Sequence, residues 1–214
     1  MRNIVRLPEP QILVNKKAEW LTNFLSSGKS RPDSSKYAHD TIKSDLNSMS
    51  FHKCFYCESK LKNEPKEVDH HIEVSVDKNL SFEWENLYLS CSNCNRKIPH
   101  DVIPTNEVLD PCIHDDSFIQ EHLRFNKELV EPNNNSYLGL KTIKKYRLDT
   151  ELLDHKRLKQ LSLFQDVLLK IKNQQVLENR QNFTFEEKSI VDSFKRIDNP
   201  YSLMFIVLFK KLGL

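Results

Sequence analysis

Two Cys-x-x-Cys pairs, Cys54/Cys57 and Cys91/Cys94, flank the run Val68-Asp69-His70-His71-Ile72, and the second pair leads directly into Asn95-Arg96-Lys97. Four thiolates so spaced can close a tetrahedral zinc shell. A fifth cysteine, Cys112, makes the count odd, and in a reducing compartment such pairs are expected to ligate a metal rather than form disulfides. Cys112 is then read as a buried thiol. The 33 residues between the pairs suffice for two short strands and a loop. Closing such a loop with zinc contributes about 10–16 kcal/mol in small metal modules, enough to fold a unit of this size. Taken alone, the cysteines would also fit a purely structural zinc ribbon.

The residues between and after the cysteines suggest chemistry beyond a clamp. Asp69 is a hard oxygen ligand suited to Mg²⁺ or Mn²⁺. The adjacent His70 titrates near neutrality and, kept unprotonated beside a dication, can act as a general base. Asn95 follows the last thiolate by one residue, so the zinc clamp would also fix its amide oxygen as a second ligand for the catalytic ion. These are parts for hydrolysing a phosphodiester. Neighbours in a regular strand face opposite ways, so Asp69 and His70 can share a site only where the strand ends or bends, and His71 competes for the role of base. Arg96 and Lys97 are the candidates for phosphate contact, at a place where a helix N-terminus would also favour negative charge. Lys141, Lys144, Lys145, Arg147, Lys156, Arg157 and Lys159 form either a phosphate-tracking surface or a solvated helix face.

The elements that must position these groups can be read from the pattern around them. Only 3 glycines and 29% charged residues in 214 favour helix over an all-β fold. A net charge of +2 is too small to mark a nucleic-acid binder by itself, so any such binding must come from local patches. Trp20, Leu21, Phe24 and Leu25 predict a helix over 16–27, followed by a loop over 28–35, and Ile42, Leu46 and Met49 predict a second helix. Glu67 to Asp69 and Asn86 to Ser90 are candidate strands. The asparagines between Glu131 and Ser136 predict an exposed turn. Beyond it, Leu158, Leu161, Phe164, Leu168 and Ile171 predict an apolar helix stripe, Thr184 with Glu187 a capping box, and Asn199-Pro200 the start of a last helix carrying Leu203 to Phe209. That apolar run is too short to cross a bilayer, and the first residues lack the apolar stretch of a signal peptide, so a soluble cytoplasmic protein with no membrane partner is expected.

In the order Cys-x2-Cys, Val68-Asp69-His70, Trp84-x-Asn86-Leu87 and Cys91-x2-Cys94-Asn95-x-Lys97, the chain resembles the HNH endonuclease family. The resemblance implies a ββα-metal fold, a hairpin against one helix around a single divalent ion. It further implies that Asp69 and Asn95 bind the ion, that His70 activates water, and that Asn86 holds the loop and orients His70. Many members carry proline where this chain has Glu73. Segments at Met1 to Pro10, Leu109 to Cys112, Glu121 to Leu123 and Lys141 to Leu148 are similar to those of the HNH proteins of bacterial Septu-type anti-phage systems, also found beside retrons. This similarity implies an ATPase partner of the ABC/SMC-like class.

The resulting expectation is an α+β protein, a zinc-clamped ββα-metal module at 51–108 embedded in a mostly helical chain. A helical segment at 1–50 precedes the module, and a helical region at 109–214 follows it and could dock a partner. The expected activity is metal-dependent hydrolysis of DNA. Its rivals are cleavage of structured RNA such as tRNA, and a non-catalytic zinc module that binds nucleic acid or protein.

Overall fold

Leu13, Trp20, Leu21 and Phe24 recur on one side of helix α1 (Gln11–Ser26), and that side is held against the chain around Phe82, with ring centroids 5.8 Å from Trp20 and 6.4 Å from Phe24. A computed structural model describes residues 1–62 and 66–213. After α1 come a one-turn helix α2 (Ser34–Tyr37), capped by Asp33, and α3 (Asp40–Met49). The latter buries Ile42, Leu46 and Met49 at the predicted spacing.

The central sheet is small. Strand β1 (Glu67–His70) pairs antiparallel with β2 (Leu87–Ser90), placing Asp69 opposite Tyr88 and His70 opposite Leu87. All four residues of β2 are buried. Between the strands the chain takes two short 3₁₀ turns, Lys78–Phe82 and Trp84–Asn86, so the connection is a folded loop and not a tight hairpin. Helix α4 (Ser92–Asn95) follows β2 and is a single turn. Asn95 therefore stands at a helix C-terminal end, and the helix N-terminus expected beside it lies at Cys91 instead.

The region after residue 109 is less purely helical than its sequence suggests. Helix α5 (Asp116–His122) runs into a second antiparallel pair, β3 (Leu123–Asn126) and β4 (Leu129–Pro132), before α6 (Tyr137–Lys145). At Gly139 any Cβ would lie 2.0 Å from the His122 carbonyl oxygen, so the close approach of α6 requires glycine there. The long helix α7 (Glu151–Leu177) buries Leu153, Arg157, Leu161, Phe164 and Ile171. This face is rotated from the predicted one: Leu158 is 45% exposed and Arg157 only 2%. The reason is hydrogen bonding, because the Arg157 guanidinium donates to the Leu148 carbonyl at 2.7 Å, the Glu128 carbonyl at 3.3 Å and Asp154 at 2.9 Å.

Helix α8 (Phe185–Ser193) opens with the predicted capping box, Thr184 with Glu187. The last helix, α9 (Ser202–Leu212), buries Leu203, Met204, Phe205 and Phe209. Phe205 and Phe209 lie 5.4 and 5.2 Å from Phe164, so much of the apolar run Leu203 to Phe209, within the region expected to dock a partner, is buried inside the chain. No helix among the described residues is long and apolar enough to cross a membrane.

The start of α9 is also bound to the first cysteine pair. Glu58, 3% exposed, accepts from the Met1 amino group at 3.1 Å, Lys53 Nζ at 3.2 Å, and the Ser202 amide and hydroxyl at 3.1 and 2.7 Å. Ser59 shares a 2.8 Å hydroxyl contact with Tyr201, and Lys53 donates to the Asn199 carbonyl at 3.0 Å. Burial alone would raise the Glu58 carboxyl, but the Met1 and Lys53 ammonium groups, with the Ser202 hydroxyl and Arg2, together lower the value from the ordinary 4.5 to about 2. A carboxyl depressed on folding stabilises above its unfolded value and loses that contribution as pH falls through the folded one. Glu58→Gln is thus expected to destabilise the fold at pH 7 by roughly 3 kcal/mol, and the gap from wild type to narrow from about pH 4.5 down to 2. Urea titrations of both proteins across that range check it; a gap independent of pH refutes the charge account.

Candidate active site

The cysteines converge as their spacing requires. The four sulfur atoms lie within 4.8 Å of one another and all four residues are buried. The Cys57 and Cys91 sulfurs are 3.7 Å apart, against an edge of about 3.8 Å for a tetrahedron of sulfurs around zinc at about 2.3 Å. Each pair is shaped by its turn. Glu58 takes φ +63° and donates to the Cys54 carbonyl at 3.0 Å, while Cys91 and Cys94 are held in register by α4, where the Asn95 amide bonds the Cys91 carbonyl at 2.9 Å. All four are free thiols. Burial drives the Cys54 and Cys94 thiols up; at Cys57 it acts the same way, but hydrogen bonds from the other three cysteines and Ser59 hold that thiol well down. Four buried sulfurs, mutually repelling if ionised, fit a divalent soft-ligand cation, and zinc is the ion whose geometry they match.

A second site lies beyond β1, in a cavity of about 450 Å³ lined by Asp69, His70 and Asn95 together with Arg31, Tyr37 and Lys97. Asp69 and His70 share it because the strand ends at His70. The bend is fastened by Asn86, whose Oδ1 accepts from the Ile72 amide at 2.7 Å and whose Nδ2 donates to the Ile72 and Leu80 carbonyls at 3.0 and 3.1 Å. Asn86 therefore holds the loop, but it does not bond His70. That ring is oriented instead by the Ser81 carbonyl, 2.9 Å from Nε2. Since a carbonyl only accepts, Nε2 carries the hydrogen and the lone pair belongs to Nδ1. Tyr37 packs on the ring at 4.6 Å, and burial lowers the His70 pKa, which keeps the imidazole neutral.

His71 faces the other way. It stacks on Tyr88 at 4.4 Å, sits 3.3 Å from Asp110 Oδ2, and is only 7% exposed. Burial takes its pKa down to about 4. A base has no route to substrate from there, so between the two neighbours the geometry favours His70.

Asp69 is buried and fully partnered. The Tyr56 hydroxyl donates to Oδ2 at 2.7 Å, and Lys97 Nζ lies 2.9 Å from both carboxylate oxygens. The same ammonium reaches the carbonyls of His70 at 2.5 Å and His71 at 3.1 Å. Lys97 was a candidate for phosphate contact; it is instead ringed by four oxygens with its side chain 5% exposed. Arg96, the other candidate, is exposed, donates to the Ser92 carbonyl at 3.1 Å and does not line the cavity. Asn95 turns its Nδ2 toward the Glu67 carboxylate, leaving Oδ1 as the atom able to ligate. Oxygens that already gather one positive charge, with an amide oxygen beside them, make a donor set of the kind Mg²⁺ or Mn²⁺ takes. Glu73, at the place where many HNH family members carry proline, pairs with the buried Lys145 at 2.7 Å. Lys145 and Arg157 are both buried, while Lys141 and Lys144 pair with Glu107 and Asp149, so the basic residues around α6 do not form a continuous phosphate track.

Arg31, Tyr37, Tyr56 and Ser81 escaped the sequence reading. Tyr56 sits between two ligand cysteines, a position that could have marked it; the others carry no local signal.

The HNH endonuclease family model matches residues 54–100, the stretch holding both cysteine pairs, Asp69, His70 and Asn95. The chain is 36% identical over 99 residues to the Septu protein PtuB of Bacillus thuringiensis, a match covering 45% of this chain and 37% of the relative. It is 29% identical over 155 residues to the Septu protein PtuB of Bacillus mycoides, covering 58% and 52%. The chain thus spans about half, or less, of the length of these curated relatives.

Proposed function

We propose, from the match of residues 54–100 to the HNH endonuclease family model, that the chain is a divalent-metal-dependent nuclease that cuts DNA as part of an anti-phage defence system. The observation that carries the reading is the pose of His70: its Nε2–H is held by the Ser81 carbonyl, and the ring shares one cavity with Asp69 and Asn95.

In the proposed reaction His70 Nδ1 takes a proton from water, which attacks phosphorus in line with the departing 3′ oxygen and leaves a 5′-phosphate end. Burial keeps the imidazole neutral before the step, and Tyr37 and Ser81 keep it from turning. Asp69, fixed by Tyr56 and Lys97, and Asn95, fixed by Glu67, would hold the divalent ion. When bound, that ion supplies charge stabilisation for the pentacovalent phosphorus and the leaving oxygen. The four cysteines would hold zinc, whose role is to fix Asn95 and the base of β2.

The defence role is supported by the likeness to the two Septu proteins, and with it we propose an ABC/SMC-like ATPase as the working partner. The test is cleavage of duplex DNA and of structured RNA by the zinc-loaded chain, alone and with that ATPase. DNA products that require Mg²⁺ or Mn²⁺ are expected. RNA products alone would move the substrate, and no cleavage of either, with binding retained, would favour a non-catalytic module.

A further inference from the structure

The nuclease domain begins at residue 54, yet one wall of its cavity is built from outside it, by Ser30, Arg31, Pro32 and Tyr37. This loop is anchored on both sides of Arg31. Gly28, at φ +68°, turns the chain out of α1, and Lys78 Nζ donates to the Lys29 carbonyl at 3.0 Å. Beyond it Pro32 is buried, the Asp33 carboxylate caps α2 through the Ser35 amide at 2.9 Å, and Tyr37 lies against His70. The backbone is thereby held at the mouth of the cavity while the Arg31 side chain stays exposed.

Among the described residues two permanent cations line this cavity, Arg31 and Lys97. Lys97 is neutralised by Asp69 and enclosed by carbonyls, and Arg96 lies outside. The Arg31 guanidinium has no hydrogen bond or ion pair with any described residue, although its charge is felt at His70 and Tyr37. A planar five-donor fork, uncommitted and next to a general base, matches the two non-bridging oxygens of a phosphodiester.

Resting on the nuclease reading above, we propose that Arg31 is the substrate-phosphate grip of this site, so that the segment before the HNH domain completes the nucleic-acid-binding surface. Phosphate charge enters the cavity against Arg31, and the strand is held for attack with His70 on one side.

The test is the affinity of a fluorescein-labelled DNA duplex for the full chain in the His70→Ala background, with and without Arg31→Ala, over a series of salt concentrations. Arg31→Ala is expected to weaken binding about 10- to 100-fold and to reduce the slope of log K against log salt by about one, with Arg31→Lys restoring the slope and part of the affinity. The exposed, unpartnered side chain should leave the melting temperature and zinc content unchanged. If the chain with native His70 cuts DNA, and Arg31→Ala binds within twofold of its parent with the same salt slope, the assignment to Arg31 is overturned and the nuclease reading stands. If the chain with native His70 does not cut nucleic acid and its His70→Ala form does not bind it, both fall together.

Discussion

Replacing His70 with alanine is expected to reduce cleavage by about 10²–10⁴-fold while leaving zinc content and unfolding midpoint close to wild type. The ring bonds the Ser81 carbonyl and packs on Tyr37 at the wall of the cavity, half-buried and outside the apolar core, so its removal opens little of that core. His71→Ala should behave in the opposite way. That ring is stacked on Tyr88 and lies against Asp110, and its loss empties a buried slot between aromatics; the expected result is lower stability with cleavage retained by the folded fraction. Because burial lowers the His70 pKa, the acid limb of the pH–rate profile should fall below the ordinary histidine value of 6.5, activity being lost as pH drops and the base becomes protonated. Single-turnover cleavage and thermal unfolding of both variants decide the matter. An active His70→Ala protein beside a folded but dead His71→Ala protein would reverse the assignment.

Cys54→Ser and Cys94→Ser are each expected to abolish stoichiometric zinc binding and to unfold the module. Structural zinc contributes about 10–16 kcal/mol in isolated metal modules, more than the whole net stability of many domains. Here the loss reaches further than the clamp, since Asn95 follows Cys94 directly and Phe55, beside Cys54, donates its amide to Leu89 of β2 at 2.9 Å. Metal analysis should return one zinc per wild-type chain and none per variant, with the β1–β2 amides losing protection from hydrogen exchange. Folded, active wild-type protein free of zinc would refute this role.

What could be read from sequence depended on whether a feature is local. The two knuckles, Asp69 with His70, the helices over Trp20 and over Ile42, and the Thr184 capping box all repeat short-range rules, and the fold contains them. The β3–β4 pair has four-residue strands, too short for alternation to stand out between Pro111 and the asparagines. Arg157, by its charge, suits either a phosphate or a solvated helix face, but the carbonyls of Leu148 and Glu128 claim it. Lys97 was assigned to phosphate because it is a cation beside Asn95, yet its partner Asp69 is 28 residues away and no spacing rule connects them. Arg31 lies in a loop without periodicity, and only the packing of α1 and Tyr37 brings it to the cavity.

The contacts of Glu58 and Ser59 with residues 199–202 also set a timetable. Translation delivers both cysteine pairs about 100 residues before Ser202, a lag of about 5–20 s at ordinary elongation rates. Throughout that interval the first knuckle lacks the Ser202 donors for Glu58 and the Asn199 carbonyl for Lys53. A growing chain therefore carries its cysteines, Asp69 and His70 early but cannot lock the scaffold beneath them until Asn199 and Ser202 have cleared the ribosome. During that interval the HNH-like segment of each growing chain exists without the contacts that complete its first knuckle.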